Sequence, residues 1–118
     1  MEQFKTGATR NSDEKKLDYE GFLSPAVLER YAEYMHGHRK QADGNIRDSD
    51  NWQKGIPVSR YMKSLWRHFF DVWKTYRGGV AINPDTQRHV SIDEALCGVL
   101  FNAMGMLHEI LKEKRNAN

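Results

Sequence analysis

The chain has 118 residues, enough for one hydrophobic core and not for two, so a single domain spanning 1–118 is expected. Its 18 Lys and Arg face 16 Asp and Glu, a net charge of +2 that lacks the basic excess of duplex-DNA binders, so a nucleic-acid partner is not expected. A single cysteine, Cys97, sits in an apolar run, which excludes an internal disulfide and suits a reducing cytosol.

The N-terminal segment 1–20 is polar and expected to be extended; it has no apolar stretch that would serve as a signal peptide. Ser24 and Pro25 then form a helix start, a side-chain cap followed by a proline whose missing N–H costs nothing at the first helical position. Val27, Leu28, Tyr31, Ala32 and Met35 make its apolar stripe, and Gly37 is its expected stop. Residues 38–58 form a long polar connection. Structureless loops of that length are uncommon in compact domains and are often functional. Trp52 and Ile56 predict that its second half is anchored.

The most informative stretch is SRYMKSLWRHFFDVWKTYR, 59–77. At helical spacing Tyr61, Met62, Leu65, Trp66, Phe69, Val72, Trp73 and Tyr76 share one broad face, while Arg60, Lys63, Arg67 and Lys74 share the other. Ser59 is the expected cap and Gly78-Gly79 the expected end. Such a helix suits a ligand with a flat ring and a phosphate. It equally suits an amphipathic helix with a solvated back. Arg60 and Arg67 are the candidate phosphate binders, since a guanidinium takes two phosphate oxygens at once.

A loop with the turn signal Asn83-Pro84-Asp85 leads to Ser91 and Glu94, which match a capping box opening a third long helix expected to end near Lys112. Its apolar run, 95–107, is interrupted by Gly98, Asn102 and Gly105 and reads as too short and too polar to cross a bilayer. Ala95, Gly98, Asn102, Gly105 and Glu109 line up as a small, polar strip. Either another helix lies close against that strip or it is the floor of a groove. Asn102 bonds neighbouring backbone or its counterpart in a dimer, or it meets a ligand, because an unpaired buried amide costs about 1–3 kcal/mol. Asp93 and Glu94 are the candidate metal ligands, though Glu94 also has a capping role. Glu29 and Glu33 lie opposite the apolar stripe. His68 and Asp71 allow acid–base or metal chemistry, and Arg67 and Asp71 are spaced for an ion pair. The expected fold class is therefore all-α, a small bundle of three main helices. Three helices cover the last one poorly, so a homodimer or higher homo-oligomer is expected.

Several of these segments recur together in one family. TGATR (6–10), LSPAVLERYAEYM (23–35), DNWQKG (50–55), the Arg67-His68 pair, NPDT (83–86), DEALCGVLFNAM (93–104) and Leu107-His108-Glu109 resemble the N-terminal domain of the dATP/dGTP diphosphohydrolases, small proteins common in bacteriophage genomes. The resemblance covers nearly the whole chain. It implies a fold related to the all-α nucleotide pyrophosphohydrolases, a phage origin, a cytoplasmic location and a purine-nucleotide ligand. By the same resemblance Asn51, Trp52, Lys54, Arg67, His68 and Asn102 belong to the site. An enzyme of this kind would cleave dATP or dGTP to the monophosphate and pyrophosphate with Mg²⁺ held by carboxylates such as Asp93 and Glu94. The pattern departs from the wider group on two helices. Glu29 and Glu33 are four apart rather than three, and Cys97 stands three residues after Glu94. A protein that keeps the pocket without the metal acids would bind without cutting, as a sponge for a nucleotide immune signal. A protein-binding inhibitor of a host factor is the third alternative.

Overall fold

Asp18 and Ser24 open the first two helices of the computed structural model, which describes residues 1–117. Asp18 accepts from the Gly21 N–H to start α1 (Tyr19–Phe22), and Ser24 accepts from Val27 to start α2 (Pro25–Gly37). Before them, β1 (Glu2–Gln3) and β2 (Thr9–Arg10) pair antiparallel, turning at Gly7 with φ +89°. The segment expected to be simply extended thus carries a minimal hairpin.

The long connection is also more ordered than its composition predicts. Lys40 bridges to Ile46 across a turn at Gly44, and the Arg47 N–H bonds the Arg39 carbonyl at 2.8 Å. A 3₁₀ turn follows at Asn51–Lys54. It seats the Trp52 ring 4.8 Å from His108 and 6.5 Å from Phe101, so the expected anchoring of this half is observed.

Helix α3 (Val58–Tyr76) begins two residues earlier than predicted. Pro57 rather than Ser59 is its cap, and no side chain caps it; proline's fixed φ supplies the entry geometry instead. It ends where the glycines predict. Gly78 takes φ +86° and the Gly79 N–H returns to the Lys74 carbonyl at 2.9 Å, closing the last turn. The expected loop 80–90 is a second hairpin, β3 (Ala81–Ile82) with β4 (His89–Val90). Asn83 folds its tip, its Oδ1 accepting from the Asp85 and Thr86 N–H groups at 2.8 and 3.2 Å. Gln87 completes the turn at φ +60°, a conformation few side-chain-bearing residues adopt.

Helix α4 (Ile92–Asn116) starts with the predicted capping box of Ser91 and Glu94 and runs four residues past the predicted end. At 25 residues it is long and apolar enough to cross a membrane by length and composition, contrary to the shorter run read from the sequence. Here it packs as an element of the bundle. Its small strip faces α3. A methyl group at position 98 would overlap the His68 imidazole, and one at 105 would overlap the Tyr61 ring. These two contacts run in opposite chain directions, so α3 and α4 are antiparallel. Of the two alternatives for the strip, close helix contact is the one observed.

Regular structure is thus mostly helical with only short strands, compatible with the all-α expectation. The core is thin: Tyr61, Ala81, Ala95 and Cys97 are its buried hydrophobic residues, with Asn102 beside them.

Candidate functional site

A cleft of about 620 Å³ opens where α3, the end of α2 and the β3–β4 hairpin meet the start of α4. Helix α3 presents Trp66, Arg67, His68, Phe70 and Asp71 to it, a run that spans the boundary between the packed and open sides of the helix. The hairpin tip adds Asn83 and Asp85, and α4 adds Glu94. Trp66 is 67% exposed and Phe70 51% exposed, so both rings offer bare aromatic surface. Lys74 Nζ stands 5.3 Å over the outer Phe70 ring.

Arg67 is exposed, and its Nη2 donates to Ser64 Oγ at 2.9 Å. Among the described residues no Arg67–Asp71 ion pair forms, so the guanidinium stays available to an anion in the cleft. His68 is wedged against Gly98, and burial lowers its pKa, opposed by Asp71 and assisted by Arg67 and His38. It is therefore neutral at pH 7, a donor and acceptor rather than a fixed charge. Tyr34 lines the same cleft with its phenol pKa raised, first by burial. The His38 ring lies 4.1 Å from the Tyr34 ring, and its Nδ1 is 2.7 Å from the Tyr34 carbonyl.

The other expected site residues separate. Asn51 and Trp52 line a second cleft of about 370 Å³, on the other side of His38. Lys54 and Arg60 are exposed and line neither cleft. Asn102 is 3% exposed, lines neither, and donates its Nδ2 to the Gly98 carbonyl one turn back at 2.7 Å. Asp93 is bound to Arg30, 2.7 Å from Nε to Oδ2, and the Ser91 hydroxyl together with that guanidinium holds its carboxyl below the usual range. Glu94 reaches the cleft while accepting from Ser91. Glu29 and Glu33 are exposed and line neither cleft. Cys97 is buried, which raises its thiol pKa and leaves it unreactive.

Among the described residues no three of His, Cys, Asp and Glu come close enough to hold a metal ion. Asp71, Asp85 and Glu94 share the cleft wall without forming a cage. The Mg²⁺ implied by the resemblance therefore does not fit one protomer's side chains as they stand.

Sequence reasoning missed Asp85 and Tyr34 as cleft residues, and had weighed Asp71 only with His68 and Arg67. The one available signal was the Asn-Pro-Asp turn, which reads as a loop device until the hairpin is seen to fold back on α3.

A mostly helical scaffold thus places an arginine, a neutral histidine and two exposed aromatic rings around one cleft. The family model described as dATP/dGTP diphosphohydrolase, N-terminal, matches residues 6–115, and the chain belongs to that family. No curated protein and no solved structure matches the chain.

Proposed function

We propose that the 620 Å³ cleft binds a purine deoxynucleoside triphosphate. The observation that carries this is convergence. Two family segments far apart in sequence, Arg67-His68 and Asn83-Pro84-Asp85, meet on one cleft beside the exposed ring of Trp66 and the half-exposed ring of Phe70. Arg67 faces the phosphates, and an aromatic ring stacks on the base, a contact worth about 1–3 kcal/mol in nucleic-acid binders. Neutral His68 hydrogen-bonds the phosphate or sugar without adding charge. The family description supplies the purine preference and the reaction class, in which water attacks phosphorus and pyrophosphate leaves.

The spread carboxylates favour a second reading, binding without cleavage, which would make the protein a nucleotide sponge. One assay separates the two. Purified protein is given dATP or dGTP with Mg²⁺, and pyrophosphate release and binding are measured together. Turnover supports the diphosphohydrolase, tight binding without turnover supports the sponge, and no binding sinks both and leaves a protein-directed inhibitor. Arg67→Glu is expected to weaken triphosphate binding by at least roughly tenfold, the loss of one charge-assisted contact.

A further inference from the structure

We propose that the second cleft is a separate site for a small aromatic anion of nucleoside-monophosphate size. It is a 370 Å³ hollow between the end of α2, the long connection and α4, inside the range of about 300–1,000 Å³ typical of small-molecule sites. Its floor is apolar, with the aliphatic Met35 and Ile56 and the rings of Trp52 and Phe101. Its rim is cationic, with Arg39 and Arg47 against the single acid Asp48. Arg39 is steadied by His36, its Nε donating to that residue's carbonyl at 3.3 Å, and Arg47 is exposed. Asn51 adds an amide that can both donate to and accept from a ring edge. A planar ring against Trp52 with a phosphate at the two arginines satisfies floor and rim together. Neither an uncharged ring nor a bare phosphate does so. The residues are distinct from those of the first cleft except His38, which lines both. The proposal therefore stands without the triphosphate reading and can fail independently of it.

The test uses the indole N–H signals of the full chain, whose three tryptophans are Trp52, Trp66 and Trp73. They are assigned by single Trp→Phe variants, and dAMP, deoxyadenosine and inorganic phosphate are titrated separately. The expected result is a saturable dAMP shift at Trp52, with deoxyadenosine and phosphate each at least roughly tenfold weaker, as when one of two cooperating contacts is removed. Arg47→Gln is expected to weaken that shift by a similar factor, and Arg67→Glu to leave it unchanged. No Trp52 shift with dAMP, or an undiminished shift in folded Arg47→Gln and Arg39→Gln proteins, overturns the proposal. A Trp52 shift produced equally by deoxyadenosine overturns its anionic part. Loss of triphosphate binding with the Trp52 shift intact would instead count against the first cleft alone.

Discussion

Gly98 shows how one missing methyl group sets a helix contact. A glycine inside a helix normally lowers stability, by about 0.5–1 kcal/mol relative to alanine. At position 98 the cost is accepted because the His68 imidazole occupies the space a Cβ would take. Gly98→Ala is therefore expected to destabilise by about 1–3 kcal/mol through overpacking. Gly37, also helical but with open space where a methyl group would go, is the control. Gly37→Ala is expected to stabilise by up to about 1 kcal/mol. Denaturant titration of both variants checks the pair, and a shift of the same sign in each would remove His68 from its place over α4. The same wedge makes His68 pH-sensitive. Its folded pKa lies below the 6.5 of the free imidazole, chiefly through burial. The unfolded chain therefore takes up the proton first as pH falls. The stability contributed is whole above pH 6.5 and drains as pH drops toward the folded pKa. Asp71 works against this, while Arg67 and His38 work with it. An NMR titration of His68 should place its midpoint below 6.5; a midpoint above that value would mean the ring is not desolvated against Gly98.

Helix starts were readable because caps are local chemistry: Ser24 and Ser91 each act on a backbone N–H three residues away, and both do so as predicted. The exception is α3, where Pro57 sets the entry and Ser59 falls inside the first turn. The small strip of α4 was also readable, because Ala95, Gly98 and Gly105 share a face whatever lies opposite. What lay opposite was not readable, since the α3 pairing depends on two helices remote in sequence. For the same reason the expected site residues do not gather: Arg67, His68 and Glu94 line one cleft, Asn51 and Trp52 another, and Lys54, Arg60, Asp93 and Asn102 line neither. Asn102 shows the limit most plainly. A buried amide requires a hydrogen bond without choosing among neighbouring backbone, a dimer counterpart and a ligand, and here the Gly98 carbonyl of its own helix takes one. The cap at Ser91 connects element and site, because the Glu94 it holds also lines the cleft. Ser91→Ala is expected to cost about 0.5–2 kcal/mol of stability. Thermal melts with and without dGTP should show that loss in both states; an unchanged melting temperature would mean the cap does not hold α4.

The whole molecule exposes far more than a finished monomer should. Its surface is 9929 Å², against roughly 6,600 Å² for a compact monomer of this mass. Its radius of gyration is 19.4 Å, where about 13–14 Å is usual for this length. The excess has a pattern. On α3 the side chains of Met62, Trp66, Phe69, Trp73 and Tyr76, spaced alternately four and three apart, are all at least 40% exposed. On α4 Leu96, Leu100, Met104, Leu107 and Leu111 form a second open stripe at near-heptad spacing. The broad face read from the sequence is therefore two faces, one packed on α4 through Tyr61 and His68 and one bare. Regular spacing of this kind is what helices use to pack on other helices. The expected occupant is a second copy of the chain, because the surplus, roughly 3,300 Å² on one chain, is more than the roughly 1,000–2,500 Å² per partner that obligate homodimers cover. Sedimentation at low micromolar concentration should then give a dimer or larger assembly, and the melting temperature should rise with protein concentration. Trp73→Glu combined with Leu107→Glu, neither of which lines a cleft, should shift the assembly to monomer and lower the melting temperature. A wild-type monomer at that concentration, melting at the same temperature whatever the dilution, would leave these stripes without a self-made partner and defeat the assignment.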